Sequence, residues 1–207
     1  AAIWQATAIV EMRNFPSQET FQTAAAMLNS DDPLLRMAAV RALGFLSPQQ
    51  LYGLLQQHLN DPSAAVRMEI ARALAALPME QLDNASATAL RAIYDEYLRN
   101  LGDNADMPET QVQLGTFFSE RQFWQPAEIA YQHALQLNPQ DLTALLNLAD
   151  LYRTLQREEE ARELLLQAVA IAPEQGMPYH ALGLLETRAG NRELALGYLG
   201  DAAERES

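Results

Sequence analysis

The sequence predicts an all-α fold of stacked antiparallel helix pairs, because two parts of the chain repeat at periods typical of helical hairpins. In the C-terminal half, Leu114-Gly115 returns as Leu148-Ala149 and as Leu182-Gly183, each time after 34 residues. In the N-terminal half, Arg36-Met37 returns as Arg67-Met68 after 31 residues. Because a single repeat of this kind does not bury its apolar face alone, we expect the units to stack on one another.

Composition bounds the class of protein and its partners. With 207 residues and 49% apolar residues, the chain has enough apolar surface to bury a core in one large or two small domains. Its formal net charge of −13 argues against nucleic acid or an anionic membrane as the main partner, because both attract clustered positive charge. No run approaches the roughly 18 apolar residues that span a bilayer, so we expect no membrane insertion. The chain has no cysteine, which excludes disulfides, thiolate metal sites and a Cys-x-x-Cys-His haem attachment within it.

Residues 1–103 are predicted to form helix pairs of the 31-residue period. Asp32-Pro33 and Asp61-Pro62 are expected to open the first helix of a pair, because proline fits a first helical turn and aspartate favours the positive helix end. Ser47-Pro48 and Pro78 are expected to close these helices. The earliest unit keeps the apolar positions but lacks the arginines, so it is degenerate or truncated. The second helices are predicted over residues 18–28, 49–59 and 85–101.

These N-terminal units resemble HEAT repeats. The resemblance rests on the Asp-Pro openings, on Leu35-Arg36 and Val66-Arg67, and on alanines at positions where helices approach closely. Two interpretations of the repeated arginines stay open. They form either a binding ridge or ties from each unit to its neighbour, and we favour the ties. The four arginines concerned are Arg36, Arg41, Arg67 and Arg72.

Residues 104–207 are predicted to form three units, 108–141, 142–175 and 176–207. Glycine in a helix interior costs about 1 kcal/mol relative to alanine. Its recurrence at Gly115 and Gly183 therefore predicts that another helix packs too closely there for a side chain. The third unit departs from the pattern at Glu186, which stands where Phe118 and Tyr152 stand in the other two. Further columns keep the 34-residue register: Ala127, Ala161 and Ala195; Ala134, Ala168 and Ala202; Pro139 and Pro173.

These C-terminal units resemble the tetratricopeptide repeat. The resemblance implies a right-handed α-solenoid whose concave wall comes from the first helix of each unit. It also implies a non-enzymatic protein-protein interaction scaffold that binds a protein or peptide partner, as a short helix or an extended segment. Counting from Pro108, the register places these residues on the wall: Glu109, Val112, Thr116, Glu120, Leu146, Asn147, Asp150, Arg153, Met177, His180, Leu184 and Arg188.

Some members of this family grip a C-terminal carboxylate with lysines, an arginine and asparagines. Only Asn147 fits that clamp here, while Val112 and Thr116 stand where it needs lysine and asparagine. We therefore predict that the groove binds no C-terminal carboxylate.

The charge of the predicted wall changes along its length, from acidic in the first unit to basic in the third.

No residue pattern indicates catalysis, a cofactor or a metal. His58, His133 and His180 lie in different repeats at unrelated positions, so a histidine metal site is not expected. The run Glu158-Glu159-Glu160 is expected to open a helix, where acidic residues complement the helix dipole, with Arg162 four residues after Glu158. An enzyme active site is the least favoured of the functions considered.

The whole chain also resembles the C-terminal region of bacterial multihaem c-type cytochrome-like proteins. The resemblance rests on the HEAT-like units, on the junction at residues 104–109, and on the strings at residues 147–153 and 180–185. It implies an alternative function, a structural or docking domain of an exported redox protein, and a periplasmic location; the residues alone leave the location open. The chain begins without Met inside an apolar helix, so we expect it to be a fragment.

Two predictions concern exposed apolar residues. The last unit lacks a polar capping helix, so we expect the face around Leu194, Leu196 and Leu199 to contact missing sequence or a neighbouring molecule, which would give self-association. Phe123-Trp124 serves either as an exposed contact point or as a staple between adjacent units, and we favour the staple.

Overall fold

A computed structural model describes residues 2–205 of the chain, and within that range it contains helices and no strand. The chain divides into two compact units between Asp103 and Asn104. Each unit consists of helices stacked in pairs, which confirms the predicted all-α class. None of the helices described is long and apolar enough to cross a membrane.

The first unit holds six α-helices among the residues described. Helix α1 packs on α3, and α3 packs in turn on α5. Val40, Leu43, Ile70 and Leu74 are fully buried in this stack. The helices are α1 (Ala2–Glu11), α2 (Gln18–Met27), α3 (Pro33–Ala42), α4 (Pro48–Leu55), α5 (Ala64–Ala73) and α6 (Asn84–Gly102), with short 3₁₀ turns at Met12–Asn14, Gln56–His58 and Met79–Gln81.

Two predicted helix boundaries in this unit are wrong. Asp61-Pro62 does not open α5, which begins at Ala64 with Ser63 as its N-cap residue. Ser47-Pro48 does not close α3 but opens α4, where Ser47 and Gln50 form a capping box. The N-cap role predicted for an Asp-Pro pair holds at Asp32, whose carboxylate accepts the backbone N–H of Leu34.

Asp61 is buried and forms an ion pair with an arginine of the preceding repeat. The guanidinium of Arg36 donates to Asp61 through Nε at 2.7 Å and Nη2 at 2.8 Å. Burial pushes the pKa of Asp61 upward, but the hydrogen bonds from Arg36 and from the backbone N–H of Ser63 outweigh it, so the pKa lies below its ordinary value. Arg67 repeats the pattern one unit later, donating to Glu96 at 2.8 Å. The interpretation of these arginines as ties between units is confirmed.

The other two repeated arginines converge on one buried carboxylate. Arg41 on α3 donates to Glu69 at 2.8 Å, and Arg72 on α5 donates to the second oxygen of Glu69 at 2.9 Å. Glu69 is 5% exposed. Arg41 thus ties α3 to α5 and Arg67 ties α5 to α6, whereas Arg72 pairs with Glu69 within α5. All four arginines are paired, so they do not form an unpaired ridge.

The part of the second unit that the structure describes, residues 104–205, holds three helical hairpins. Each hairpin packs on the next, α8 on α9 and α10 on α11. A shared core includes Tyr131, Leu148, Leu165 and Leu182. The helices are α7 (Pro108–Glu120), α8 (Trp124–Leu137), α9 (Leu142–Thr154), α10 (Glu158–Ile171), α11 (Gly176–Ala189) and α12 (Arg192–Arg205).

The repeated glycines lie where two helices of a hairpin touch. A methyl group on Gly115 would stand 2.4 Å from Cε1 of Tyr131, and one on Gly183 would stand 2.6 Å from Cγ of Leu199. Neither distance is possible unless the side chain of Tyr131 or Leu199, or the helix that carries it, moves. The prediction that a neighbouring helix excludes a side chain at these positions is confirmed.

All three hairpins turn through the same backbone geometry. Gln122, Gln156 and Gly190 adopt φ values of 60°, 61° and 79°, in the left-handed region, and they stand 34 residues apart. The next residue in each turn donates its backbone N–H to the carbonyl five positions back, for example from Arg157 to Tyr152 at 2.8 Å. This is the Schellman arrangement that ends a helix. The 34-residue register therefore extends to the turns, although the left-handed position is a glycine only in the third turn, at Gly190.

Two further predictions in this unit are corrected. Arg162 does not pair with Glu158; it bonds to Glu159 and, across the hairpin boundary, to Glu186 at 2.6 Å. Leu199 does not belong to an outer face, because it is half-buried against Gly183, whereas Leu194 and Leu196 are exposed. Self-association through this last unit stays a prediction.

The aromatic residues singled out in the sequence separate into two environments. Trp124 is half-buried and packs against the core of the second unit. Phe123 is half exposed, with the guanidinium carbon of Arg121 lying 5.2 Å from its ring centre. Trp4 on α1 is 80% exposed.

Candidate functional site

The predicted wall residues lie on the first helix of each hairpin, α7, α9 and α11, and all of them are exposed or half-buried. Their polarity changes along the three helices. Helix α7 contributes Glu109, Val112, Thr116 and Glu120; helix α9 contributes Leu146, Asn147, Asp150 and Arg153; helix α11 contributes Met177, His180, Leu184 and Arg188.

A pocket of about 140 Å³ opens among α9, α10 and α11. Its lining is mostly apolar and includes Ala149 and Ala161 of the repeat columns. Two arginines and an aspartate stand among its walls. Its lining is Leu146, Ala149, Asp150, Arg153, Ala161, Leu165, Ala181, Leu184, Leu185 and Arg188.

Five of the twelve predicted wall residues line this pocket together. They are Leu146, Asp150, Arg153, Leu184 and Arg188. The five other lining residues were not predicted as site residues, because the sequence marks them only as core or repeat-column positions. A signal was present: small residues at Ala149, Ala161 and Ala181 leave space where a larger residue would fill it.

Helices α7 and α9 are joined at the other end of the wall by hydrogen bonds around Thr116. The hydroxyl of Tyr131 donates to Thr116 Oγ1 at 3.2 Å, and Asn147 Nδ2 donates to the same oxygen at 3.4 Å. Thr116 itself donates to the carbonyl of Val112 at 3.0 Å. Burial raises the pKa of Tyr131, so its hydroxyl stays protonated and keeps donating at neutral pH. These bonds fix the orientation of Thr116 and Asn147.

The two arginines of the pocket differ in how they are held. Arg153 pairs with Asp150 one turn earlier on α9, with Nε 2.9 Å from Oδ1. Arg188 forms no ion pair with any residue in the described range. Its side chain is exposed beside the pocket and makes no hydrogen bond to the described residues, so the guanidinium donors are available to a ligand.

Large apolar side chains stand exposed on the same helices. Met177 is 60% exposed and Leu184 is 41% exposed. Leu184 lies four residues from both His180 and Arg188, so the three form one stripe along α11. The wall therefore combines apolar area with a positively charged end.

A second cavity, of about 290 Å³, lies in the first unit between α1 and α3. Ile3, Val10, Leu34 and Met37 are among its lining residues, and Arg41 stands among them. Within residues 2–205 no group of three or more acidic, histidine or cysteine side chains is arranged to hold a metal ion. His58, His133 and His180 remain separate, in α-helical or 3₁₀ segments of three different repeats.

Comparison with known proteins agrees with the two repeat regions of the chain. The sequence model of HEAT repeats matches residues 3–75 and 22–100, which lie in the first unit. The tetratricopeptide repeat model matches residues 106–174. Each model thus matches the part of the chain in which the corresponding repeat period was found. The third hairpin, with Glu186 in place of an aromatic residue, lies beyond the matched range.

Individual relatives support the repeats and the fold. The chain is 32% identical over 96 residues to "Tetratricopeptide repeat protein 7A" of Homo sapiens, which covers 46% of this chain and 11% of that protein. It also resembles two crystal structures of MamA, each with a TM-score of 0.50. One is 21% identical and covers 82% of this chain and 87% of that one; the other is 19% identical and covers 83% and 97%. At these identities the structural likeness concerns the fold alone. None of these matches is to a cytochrome, so the multihaem resemblance stays a prediction.

Proposed function

We propose that the second unit binds a short peptide segment or helix of a partner protein in the groove formed by α7, α9 and α11, and that the chain works as a non-enzymatic interaction scaffold. The observation that carries this proposal is the pocket among α9, α10 and α11. It joins five wall residues that the repeat register selects, and it opens on a surface with exposed leucine, methionine and arginine. Exposed apolar area rimmed by polar residues is typical of a protein interaction site.

The match to the tetratricopeptide repeat supports this function, because arrays of such repeats present an extended surface for binding. Binding in a groove of this kind uses a few anchoring side chains from one short segment. Three hairpins provide a short wall, which suits one helix or one extended segment. The acidic composition argues against nucleic acid as the partner, and that exclusion stays a prediction.

The proposal is tested with a displayed library of random dodecapeptides panned on the full chain. The affinity of the strongest selected peptide is then measured by fluorescence anisotropy for the wild type and for a variant with Arg153→Ala and Arg188→Ala. We expect binding to weaken by about tenfold or more, the effect of losing roughly 1.4 kcal/mol. Because the Arg153–Asp150 pair is exposed and Arg188 has no ion pair in the described range, thermal stability should not change.

The matched control carries Arg91→Ala and Arg192→Ala, which remove the same charge from exposed arginines outside the wall. The control should bind as the wild type does. Equal affinity of the wild type and the Arg153/Arg188 variant contradicts the assignment of the groove. The absence of any selected peptide contradicts the function itself.

A further inference from the structure

The pocket among α9, α10 and α11 has the size of one side chain. Its volume is about 140 Å³, whereas sites for drug-sized ligands measure about 300–1,000 Å³. An apolar cavity of about 150 Å³ is large enough for benzene. A leucine, methionine or phenylalanine side chain therefore fills this pocket, and a larger free metabolite does not.

The interior of the pocket selects an apolar group. Ala149, Ala161, Leu165 and Leu185 are buried, and each presents hydrocarbon to the pocket. A polar side chain entering it would lose its hydrogen bonds to water with little compensation. The exposed Leu184 and half-buried Leu146 extend this apolar surface to the rim. Filling the pocket would therefore bury apolar area on both partners.

The rim selects a negative charge. Arg188 lies on the pocket without an ion-pair partner among residues 2–205, whereas Arg153 on α9 is paired with Asp150, whose carboxylate also lines the pocket. The positive charge at the rim that is not neutralised within the described residues therefore comes from Arg188. A guanidinium matches a carboxylate through two parallel hydrogen bonds, which favours Asp or Glu in a ligand. The chain as a whole carries a formal charge of −13, so an acidic segment gains attraction only where arginines are exposed.

We infer that the pocket takes one large apolar side chain of a partner protein segment and that Arg188 binds an Asp or Glu side chain close to it in that segment. This inference rests on the proposed groove and adds the chemistry of its ligand. We assign the recognised carboxylate to an internal Asp or Glu, in line with the sequence prediction that the groove binds no C-terminal carboxylate. The occupant is thus an acidic, apolar internal segment of another protein.

Charge reversal at Arg188 tests the inference. The same dodecapeptide library is displayed with the carboxyl end of each peptide fused to the display protein, so that no terminal carboxylate is offered. It is panned on the wild-type chain and on Arg188→Glu. We expect the wild type to select a large apolar residue with Asp or Glu within a few positions. The Arg188→Glu variant should lose that acidic preference or replace it with Arg or Lys, and wild-type peptides should bind it at least about tenfold more weakly.

Two matched controls separate the pocket from general effects. Arg192→Glu makes the same charge change at an exposed arginine on α12 and should select the same peptides as the wild type. Leu184→Asn should reduce selection of the large apolar residue, whereas Leu196→Asn, at an exposed leucine on α12, should not. Circular dichroism of each variant confirms that the helices remain folded.

The outcomes separate the two proposals. Peptides without an acidic preference, or an acidic preference that survives Arg188→Glu, overturn the inference while the groove itself stands. Selected segments that match this chain's own sequence show that the occupant is a second copy and overturn the assignment to another protein. If no library peptide is selected, both the groove and the inference fail.

Discussion

Arg162 on α10 and Glu186 on α11 form an ion pair between adjacent hairpins, with Nε and Oε1 2.6 Å apart. The Glu186 side chain is 1% exposed, and Asn191 donates to its other oxygen at 2.6 Å. In the first two hairpins the same position holds Phe118 and Tyr152. The third hairpin therefore replaces an aromatic contact with a buried charge that the preceding hairpin neutralises.

Replacing Arg162 with methionine should destabilise the second unit by about 3–5 kcal/mol, because it leaves the carboxylate of Glu186 buried without its cation. Urea unfolding measured by the fluorescence of Trp124 checks this in a Trp4→Phe background, where Trp124 is the remaining one of the two tryptophans. Trp4 is exposed, so its replacement should not affect the fold. Arg192→Met, at an exposed arginine of the same unit, is the control. A loss below 1 kcal/mol in the Arg162 variant would show that Glu186 needs no cation.

The pH dependence of stability should report the same pair. The hydrogen bond from Arg162 outweighs burial and holds the pKa of Glu186 below its ordinary value of 4.5. A lowered folded pKa contributes stability above the unfolded pKa, and that contribution is lost as the pH falls through the folded pKa. At pH 7 the wild type should be more stable than Glu186→Gln, and the difference should shrink as the pH falls below about 4.5. A difference that stays constant between pH 7 and pH 3 would refute this assignment.

The close contact at Gly115 should respond to a single methyl group. Gly115→Ala forces α7 away from Tyr131, at a cost of about 1–3 kcal/mol, which the helix propensity of alanine offsets by about 1 kcal/mol. We expect a net loss of stability in urea unfolding. In the second hairpin the equivalent positions hold Ala149 and Leu165. Adding Tyr131→Leu to Gly115→Ala gives the first hairpin the same pair and should restore most of the lost stability.

Gly197→Ala serves as the matched control for this experiment. Gly197 lies within α12 with no atom near the position of an added methyl group, so alanine should stabilise by about 0.5–1 kcal/mol. A gain of stability at both glycines would mean that the contact between α7 and α8 yields without cost.

Because the hairpin turns share a left-handed residue, exchanging Gln and Gly at Gln156 and at Gly190 should change stability in opposite directions. Gln156 has φ 61°, a conformation that costs a non-glycine residue about 1 kcal/mol or more. Gln156→Gly should therefore stabilise by up to about 1 kcal/mol, and Gly190→Gln should destabilise by a similar amount. Gln167→Gly within α10 should cost about 1 kcal/mol, since glycine there only weakens the helix. The same direction of change at Gln156 and Gly190 would contradict the shared turn geometry.

Periodic features were predictable from the sequence, because a repeat imposes the same packing at each step. Gly115 and Gly183 were assigned a close helix contact from their spacing alone, and the structure places Tyr131 and Leu199 there. The ties through Arg36 and Arg67 followed from the resemblance to HEAT repeats. Each of these features needs only local sequence and the neighbouring unit.

Features whose contacting side chain lies outside the repeat pattern were not predictable. Asp61 is predicted as a helix opening from its Pro62 neighbour, but Arg36, 25 residues earlier, removes its carboxylate from that role. In the sequence, Glu186 is a departure from the repeat pattern without an explanation. The structure explains it, because Arg162 forms an ion pair with it. The pocket lining beyond the predicted wall residues emerges only when α9, α10 and α11 are assembled. In each case a single sequence does not reveal which distant side chain supplies the contact.

Photo-cross-linking of a bound peptide to the full chain tests the central claim most directly. A library-selected peptide carries a benzophenone next to its central apolar residue, and the cross-linked residues are mapped by mass spectrometry. Binding in the proposed groove predicts cross-links on α9 and α11, around Leu146, Leu184 and Arg188, and their loss in the presence of excess unlabelled peptide. Cross-links confined to α8 and α12, or to the first unit, would contradict the groove.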